Sequence, residues 1–334
     1  MPRVSVIIPT FNCAVYIAKA ITSVLSQSYD DYEIIVLDDG STDGTEEVVS
    51  RLSRKLIYHY QPNHGLSNAR NCAVSISNGE FIAYLDADDM WLPRKLEYQI
   101  GYMDAHPECG LVHSDVLYVD EKDQLIQLDM SQIKRRSVLA QGDCLSDLLT
   151  GCLFQVPSVM ERRVCFNSIS GFDERFKRVE DYLHWIKLQL NGYPFGYINK
   201  PLAMYRIRHG SLSKNHSAMN ESTLQMFDVL IKENSLLQHL TQSETGALSQ
   251  RISQLKRGLP FHYRQQGRHD LAREKALSLI YELPGNLYPY VELMKSLVPL
   301  SLAVKIKKIY RPNSEFCSSE SLDAAVFKTL PEIK

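Results

Sequence analysis

Over the first hundred residues, short β-branched runs alternate with stretches of helical spacing. Val4–Pro9, Glu33–Leu37, Leu56–Tyr60 and Phe81–Leu85 read as strands. Between them Ile17, Ile21, Val24 and Leu25 keep helical spacing, as do Val48, Val49 and Leu52, and again Leu66, Ala69, Ala73 and Ile76. This βαβαβαβ pattern predicts a parallel sheet flanked by helices, and such sheets bind ligands beyond the carboxyl ends of their strands. Further along, Trp185, Leu188 and Leu190 predict a helix ending near Asn191-Gly192, and Phe195–Ile198 and Leu202–Ile207 two more strands. From about Asn215 the texture turns helical, with Leu224, Phe227, Leu230 and Ile231 at helix spacing, so the sheet is expected to end there.

The polar residues of interest sit at the predicted strand ends: Thr10 and Asn12, Asp38 and Asp39, and Asp86 to Asp89. The run Phe81 to Leu85 stops abruptly in carboxylates, and residues two apart face the same way, so Asp86 and Asp88 project together. A hard cation such as Mg²⁺ or Mn²⁺ is commonly held by one or two carboxylates plus phosphate oxygens of its substrate. The plainer alternative is that these acids cap a strand and start the next turn. In Asp38-Asp39-Gly40-Ser41-Thr42-Asp43-Gly44, residues 41 to 43 suit a helix start, with Glu46 and Glu47 in its first turn. A calcium loop beginning at Asp39 fails, because its twelfth position is Ser50 instead of a bidentate Glu. Asp39 is better suited to accept hydrogen bonds from a nucleobase or ribose.

Length and charge bound the rest. A chain of 334 residues allows one large domain with a smaller one, or two of ordinary size. With 37 basic and 39 acidic residues, nothing global points to nucleic acid. Seven cysteines, an odd number with no Cys-x-x-Cys pair, read as reduced thiols of a cytoplasmic protein. The start, one basic residue before Val4–Ile8 and Pro9, is too short and weakly charged for a signal peptide. The apolar stretch Leu293–Val304 is interrupted by Lys295, Ser296, Pro299 and Ser301 and falls short of the ~20 residues of a spanning helix. A soluble or peripheral protein is expected.

Four motifs in register carry a resemblance. Val4-Ser5-Val6-Ile7-Ile8-Pro9-Thr10-Phe11-Asn12, Asp38 to Asp43, Gly65-Leu66-Ser67-Asn68-Ala69-Arg70-Asn71 and Asp86-Ala87-Asp88-Asp89 resemble, in order and spacing, the family 2 glycosyltransferases of the GT-A fold, over roughly residues 1 to 215. The resemblance implies inverting transfer of a sugar from a nucleotide diphosphate donor to an acceptor hydroxyl, in glycan or glycolipid synthesis. Pro9, Thr10, Phe11 and Asp39 would hold the nucleobase, Phe11 by stacking and Asp39 by accepting a base N–H. Arg70 would lie near the nucleotide, its plain alternative being a surface ion pair. Asp86 would bind ribose or metal, and Asp88 would be the principal ligand of a Mn²⁺ or Mg²⁺ ion. UDP is the carrier by family habit, although a pyrimidine pocket also admits dTDP. The domains expected are a catalytic 1–214, with a nucleotide-binding half 1–110 and an acceptor-binding half 111–214, and a helical region 215–334.

An alcohol is a weak nucleophile at neutral pH, so the acceptor needs a base. The family carries it in a Glu-Asp pair, which assigns Asp181 as general base and gives Glu180 a part in orienting the loop or touching the acceptor. Two acids at a helix start are also ordinary dipole complements. Tyr205-Arg206-Ile207-Arg208-His209 is similar to a family stretch that folds over the diphosphate, with Arg206 and His209 as the expected contacts. Arg208 ahead of His209 departs from that pattern and leaves open which cation reaches phosphate. Phe154–Ser158 would line the acceptor side.

Between Arg251 and Arg311 twelve Lys and Arg face four acids, an excess of eight positive charges. Beside Leu293, Leu297, Leu302 and Ile309, these helices could lie on an anionic membrane surface and bring the enzyme to a lipid-linked acceptor, on the inner face of the membrane. The plainer arrangement is a solvated helical subdomain packing on the catalytic domain or on a second subunit of a homodimer. A metal-dependent nucleotide-sugar hydrolase or nucleotidyltransferase is the alternative function, disfavoured because no Gly-rich, Lys-containing loop follows the first strand. A silent binding protein is disfavoured by Glu180-Asp181.

Overall fold

The computed structural model describes residues 1–52, 56–126, 140–208, 211, 214–282 and 285–297. Backbone packing divides the chain into two compact units, Met1–Lys256 and Arg257 onward. The first unit carries an eight-stranded sheet of order β3-β2-β1-β4-β7-β6-β8-β5. Its strands are β1 (Val4–Thr10), β2 (Tyr32–Asp38), β3 (Leu56–Tyr60), β4 (Phe81–Tyr84), β5 (Met90–Trp91), β6 (Leu111–Val119), β7 (Met160–Arg162) and β8 (Phe195–Arg206). β1 to β4 run parallel, joined by α1 (Ile17–Leu25), α2 (Thr45–Ser50) and α3 (Leu66–Ser75). The predicted βαβαβαβ half and its helices therefore stand, within a residue or two at the ends.

Both faces of β1, β2 and β4 are covered, which is why these strands read as nearly unbroken apolar runs instead of alternating ones, while β3 at the sheet edge stays partly exposed. Ile7, Ile35, Leu37, Ile82 and Tyr84 point to one core, and Val4, Val6, Ile8, Ile34, Val36 and Ala83 to the other. The second core receives Ile17, Ala20, Ile21 and Val24 of α1 and the inner face of α4 (Lys95–Ala105).

The second half of the sheet is mixed. β7 runs antiparallel to β4 and β6, and β6 parallel to β8. The two strands expected at Phe195–Ile198 and Leu202–Ile207 are one twelve-residue strand, β8. Its register against β6 slips between Ser114, opposite Ile198, and Asp115, opposite Pro201, so that exposed Asn199 and Lys200 bulge out where a loop was expected. α5 (Leu145–Leu148) and α6 (Arg163–Ser168) precede α7 (Glu180–Leu190), which ends at Asn191 with Gly192 at φ 78°, the left-handed cap that glycine favours. α8 (His216–Lys232) follows the sheet and packs Met226, Phe227 and Leu230 into the first core.

A long helix, α9 (Gln242–Gln265), begins in the first unit; α10 (His269–Glu282) and α11 (Leu287–Leu297) belong to the second. Within that second unit Glu292, 1% exposed, pairs with Arg264 at 3.2 Å and with Lys295 at 2.9 Å. No helix among the described residues is long and apolar enough to cross a membrane. The basic residues 305, 307, 308 and 311, with Leu302, Ile309 and Cys317, lie outside the described residues. No disulfide joins the six described cysteines.

Candidate active site at the strand ends

The carboxyl ends of β1, β2 and β4 bring the predicted residues together, and their loops are tied to one another through side chains. Asn12, at φ 51°, accepts from Thr42 N–H at 2.8 Å and its own N–H donates to Ser41 Oγ at 2.8 Å. Asp38 accepts from Ser41 N–H and from Tyr58 O–H, at 2.8 and 2.6 Å. Asp39 is buried, and its carboxylate accepts from Gln61 Nε2, His64 N–H and Gly65 N–H at 2.7, 2.9 and 2.8 Å. Gly65 stands at φ 94°, a conformation that a side chain strains, and it presents that N–H just before α3. Three of the roughly four acceptor positions of the Asp39 carboxylate are thus taken by the loop it organises. Pro9 is buried in β1, the Phe11 ring is 49% exposed beside it, and the hydroxyl of buried Thr10 has no hydrogen-bond partner among the described residues.

The motif of α3 is explained by what it grips. Ser67 donates to Phe176 O at 2.8 Å, and Asn71 donates to Phe172 O and accepts from Phe172 N–H, at 2.8 and 2.9 Å. Asn68 and Asn71 both donate to Glu174, at 3.1 and 3.0 Å. One side of α3 therefore anchors the Gly171–Phe176 loop that leads to α7. Arg70, from the same helix, is neither at the surface nor in a simple pair. It is 1% exposed and bridges Asp86 at 2.7 Å to Glu180 at 2.5 Å, with its guanidinium 5.3 Å from the Phe172 ring centre. The strand end that carries Asp86 and the helix that begins with Glu180-Asp181 are thereby linked through one cation.

Val179, immediately before that helix, stands at φ 56°, ψ 17°. A β-branched residue in the left-handed region is strained by about 1–3 kcal/mol, a strain that surrounding structure must hold. Asp181 follows it, half-buried, its Oδ1 accepting the Tyr182 N–H at 2.7 Å. Burial, and then the negative charge of Glu180, push the Asp181 carboxyl up to about 7 against the opposing pull of Arg70. A carboxyl in that range is poised to take up a proton near neutral pH.

Asp86 and Asp88 keep side-chain exposures of 27% and 18%. Burial and the neighbouring Asp86 raise the Asp88 carboxyl despite an ion pair from Arg208 at 2.5 Å. Asp89, fully buried, receives the Arg206 N–H at 2.7 Å and leaves Oδ2 without a partner among the described residues. Arg206 itself is 1% exposed: it donates to Asp88 O at 2.7 Å and Asp120 O at 2.8 Å, pairs with Asp123 at 2.6 Å and packs on the Tyr16 ring. Its guanidinium is turned to holding the turn after β4, and the cation that reaches the Asp88 carboxylate is Arg208, 33% exposed. His209 lies outside the described residues. In the sequence Asp89 is marked as one of the acids at the strand end but has no role assigned to it; Asp123 and Tyr16 carry no signal there.

This donor set fits a hard divalent cation. Two carboxylates two residues apart carry a surplus of negative charge that raises Asp88, and a cation would relieve it. No three His, Cys, Asp or Glu side chains among the described residues converge in ligand geometry, so phosphate oxygens and water would complete the coordination.

Comparison with known proteins bears on the family and the fold. Residues 5–152 match the family model described as Glycosyl transferase family 2. A glucosyltransferase of Escherichia coli, UDP-Glc:alpha-D-GlcNAc-diphosphoundecaprenol beta-1,3-glucosyltransferase WfaP, is 31% identical over 72% of this chain and 87% of its own. An uncharacterized glycosyltransferase of Rickettsia prowazekii is 33% identical over 56% of this chain, which spans 58% of that relative's length. Among solved structures, the mannosyltransferase PcManGT of Pyrobaculum calidifontis, in complex with GDP-Man and Mn²⁺, superposes with a TM-score of 0.59 at 20% identity, over 93% of this chain and 82% of that one. S. aureus TarS 1-349 gives 0.59 at 18% identity, over 95% and 93%. The fold is that of the GT-A glycosyltransferases, and with WfaP matched along most of its length the chain belongs to glycosyl transferase family 2.

Proposed function

We propose that the chain is an inverting glycosyltransferase that moves a sugar from a UDP-linked donor to the hydroxyl of a glycan or lipid-linked acceptor, assisted by Mn²⁺ or Mg²⁺. The observation that carries this reading is the Asp181 carboxyl, raised to about 7 at the start of a helix that Arg70 ties to the Asp86 strand end. A base so poised takes the acceptor's proton as the oxygen attacks the anomeric carbon. On the donor side, the exposed Phe11 ring offers a stacking face to the base, while Thr10 Oγ and the remaining acceptor position of Asp39 offer hydrogen bonds. Asp86 and Asp88 would hold the cation, which when bound offsets the charge of the departing diphosphate. Arg208, the half-exposed cation beside Asp88, would swing onto the diphosphate oxygens, a role that fits it better than buried Arg206.

The names of relatives support the substrate classes: WfaP is a UDP-Glc transferase acting on a diphosphoundecaprenol lipid. A lipid-borne acceptor would bring the chain to a membrane surface, which the basic composition of residues 251–311 favours. The test is a panel of nucleotide sugars with Mn²⁺ and glycan or lipid diphosphate acceptors. Donor consumption should rise when the right acceptor is added and vanish with EDTA. Consumption indifferent to every acceptor would favour a hydrolase instead. A thermal-shift screen of nucleoside diphosphates with and without Mn²⁺ identifies the carrier, because a ligand of the folded state stabilises it by mass action.

A further inference from the structure

Beneath the site lies a buried polar cluster that the chemistry above does not use. Glu161 of β7, 0% exposed, accepts from the Tyr84 hydroxyl of β4, and the His184 ring of α7 meets it with Nε2 at 3.0 Å from Oε2. Tyr84 lies two residues before Asp86, and His184 three after Asp181. In the β4/β7 ladder Glu161 stands opposite Ile82, so Tyr84 and Glu161 share the sheet face on which α7 packs. The His184 ring also stacks on Phe172, 4.3 Å between centres, and Phe172 is the ring against which Arg70 rests. The cluster thus holds, from below, the same two elements that Arg70 ties together from above.

Packing alone would not choose these residues. Replacing a buried, charged, hydrogen-bonded group by apolar side chains of similar volume is often neutral or stabilising, and what such networks can add is a single geometry. We propose that Glu161 and His184, with Tyr84, are positioning residues that fix the first turn of α7, and so Asp181, relative to the Asp86 end of β4. The inference rests on the glycosyltransferase reading, since it assigns Asp181 as the group being positioned.

The test is the apolar triple variant Tyr84→Phe, Glu161→Met, His184→Phe, which keeps volume and the ring stack on Phe172. Its melting temperature should equal or exceed that of the wild type and its donor KM should stay within about twofold. Its kcat should fall by about tenfold to a hundredfold, since misplacement of a reacting group by an ångström can have that effect. Hydrogen exchange of the amides of residues 181–184, which needs no substrate, should speed up while the rest of α7 stays protected. Wild-type kcat and wild-type exchange in the folded triple variant would overturn the proposal. Should the triple variant not fold, His184→Phe and His184→Gln decide the matter. Loss of kcat in the first and its recovery in the second, whose amide can reach Glu161, supports positioning; equal kcat in both refutes it. A wild-type protein inert toward every donor would condemn the assigned activity, and exchange at residues 181–184 would still judge the cluster.

Discussion

Asp181→Asn separates catalysis from stability at one position. The carboxamide has the size of the carboxylate and keeps an oxygen for the Tyr182 N–H, bonded at 2.7 Å, but it does not take up a proton. Removing a general base should lower kcat by about 10²–10⁴-fold. The stability effect has the opposite sign. A carboxyl that titrates near 3.8 in the unfolded chain and at about 7 when folded makes the folded state bind more protons between those values. Stability therefore falls as pH rises through that window and stays reduced above it. Three pH units correspond to about 4 kcal/mol as a ceiling, at ~1.4 kcal/mol each. Partial exposure and sharing of the proton with Glu180 reduce this to on the order of 2 kcal/mol. The Asn variant carries no such penalty, so near pH 4 it should melt with the wild type. At pH 8 it should melt about 4–8 °C higher, at the ~2–4 °C per kcal/mol typical of a unit this size. The assays are donor turnover with acceptor present and thermal melts at pH 4, 6 and 8. In the wild type, kcat/KM should climb to a plateau through about pH 7. A variant that melts below the wild type at pH 8, or transfers sugar within tenfold of it, refutes the assignment.

Arg208→Gln, assayed at saturating Mn²⁺, should lose about 10–100-fold in kcat with little change in melting temperature, because the side chain is partly exposed and its proposed work is on the leaving diphosphate; unchanged kcat would limit Arg208 to a surface ion pair. Arg70→Met should destabilise the fold by about 3–5 kcal/mol, since it leaves Glu180 buried and uncompensated; denaturant unfolding reads it, and a loss under 1 kcal/mol would mean that Glu180 finds another partner. Gly65→Ala, at φ 94°, should lose about 1–3 kcal/mol to backbone strain alone, since the added methyl meets no atom within 4 Å, and should weaken UDP binding by disturbing the loop gathered on Asp39; calorimetry of both quantities checks it.

The nucleotide half was legible chiefly because β1, β2 and β4 are buried on both faces. Covered strands must be apolar throughout, and that forces the polar residues to collect at their carboxyl ends, where Thr10, Asp38, Asp39 and Asp86 are found. The second half obeys no such rule. β5 is two residues and β7 three, too short for any period to appear, and β8 hides its continuity behind Asn199, Lys200 and Pro201, which read as a loop but form a bulge. Among the site residues, position was readable and partnership was not. Arg70 and Glu180 are 110 residues apart, and Arg208 and Asp88 120, so no local pattern could announce either pair. Glu161 lies 23 residues from His184 and 77 from Tyr84, and each of the two charged side chains taken alone reads as one that faces solvent.

The charges explain why these pairs recur around so few residues. Asp86, Asp88, Asp89, Glu180 and Asp181 are crowded at one end of the sheet, and burial raises Asp88, Asp89 and Asp181 alike. Arg70 is set between Asp86 and Glu180, Arg208 on Asp88, and Arg206 beside Asp89 through its backbone; among the described residues Asp181 makes no ion pair. A cation placed directly on Asp181 would drive its carboxyl back toward the ordinary range and disable it as a base at neutral pH. A cation withheld from Asp86 and Asp88 would leave two partly buried neighbouring carboxylates without a counter-charge. The arrangement observed meets both demands. Arg70 is buried and permanent, and it acts on Asp181 only through the field it shares with Glu180. Arg208 is 33% exposed, which on the proposed function would let it leave Asp88 for the diphosphate.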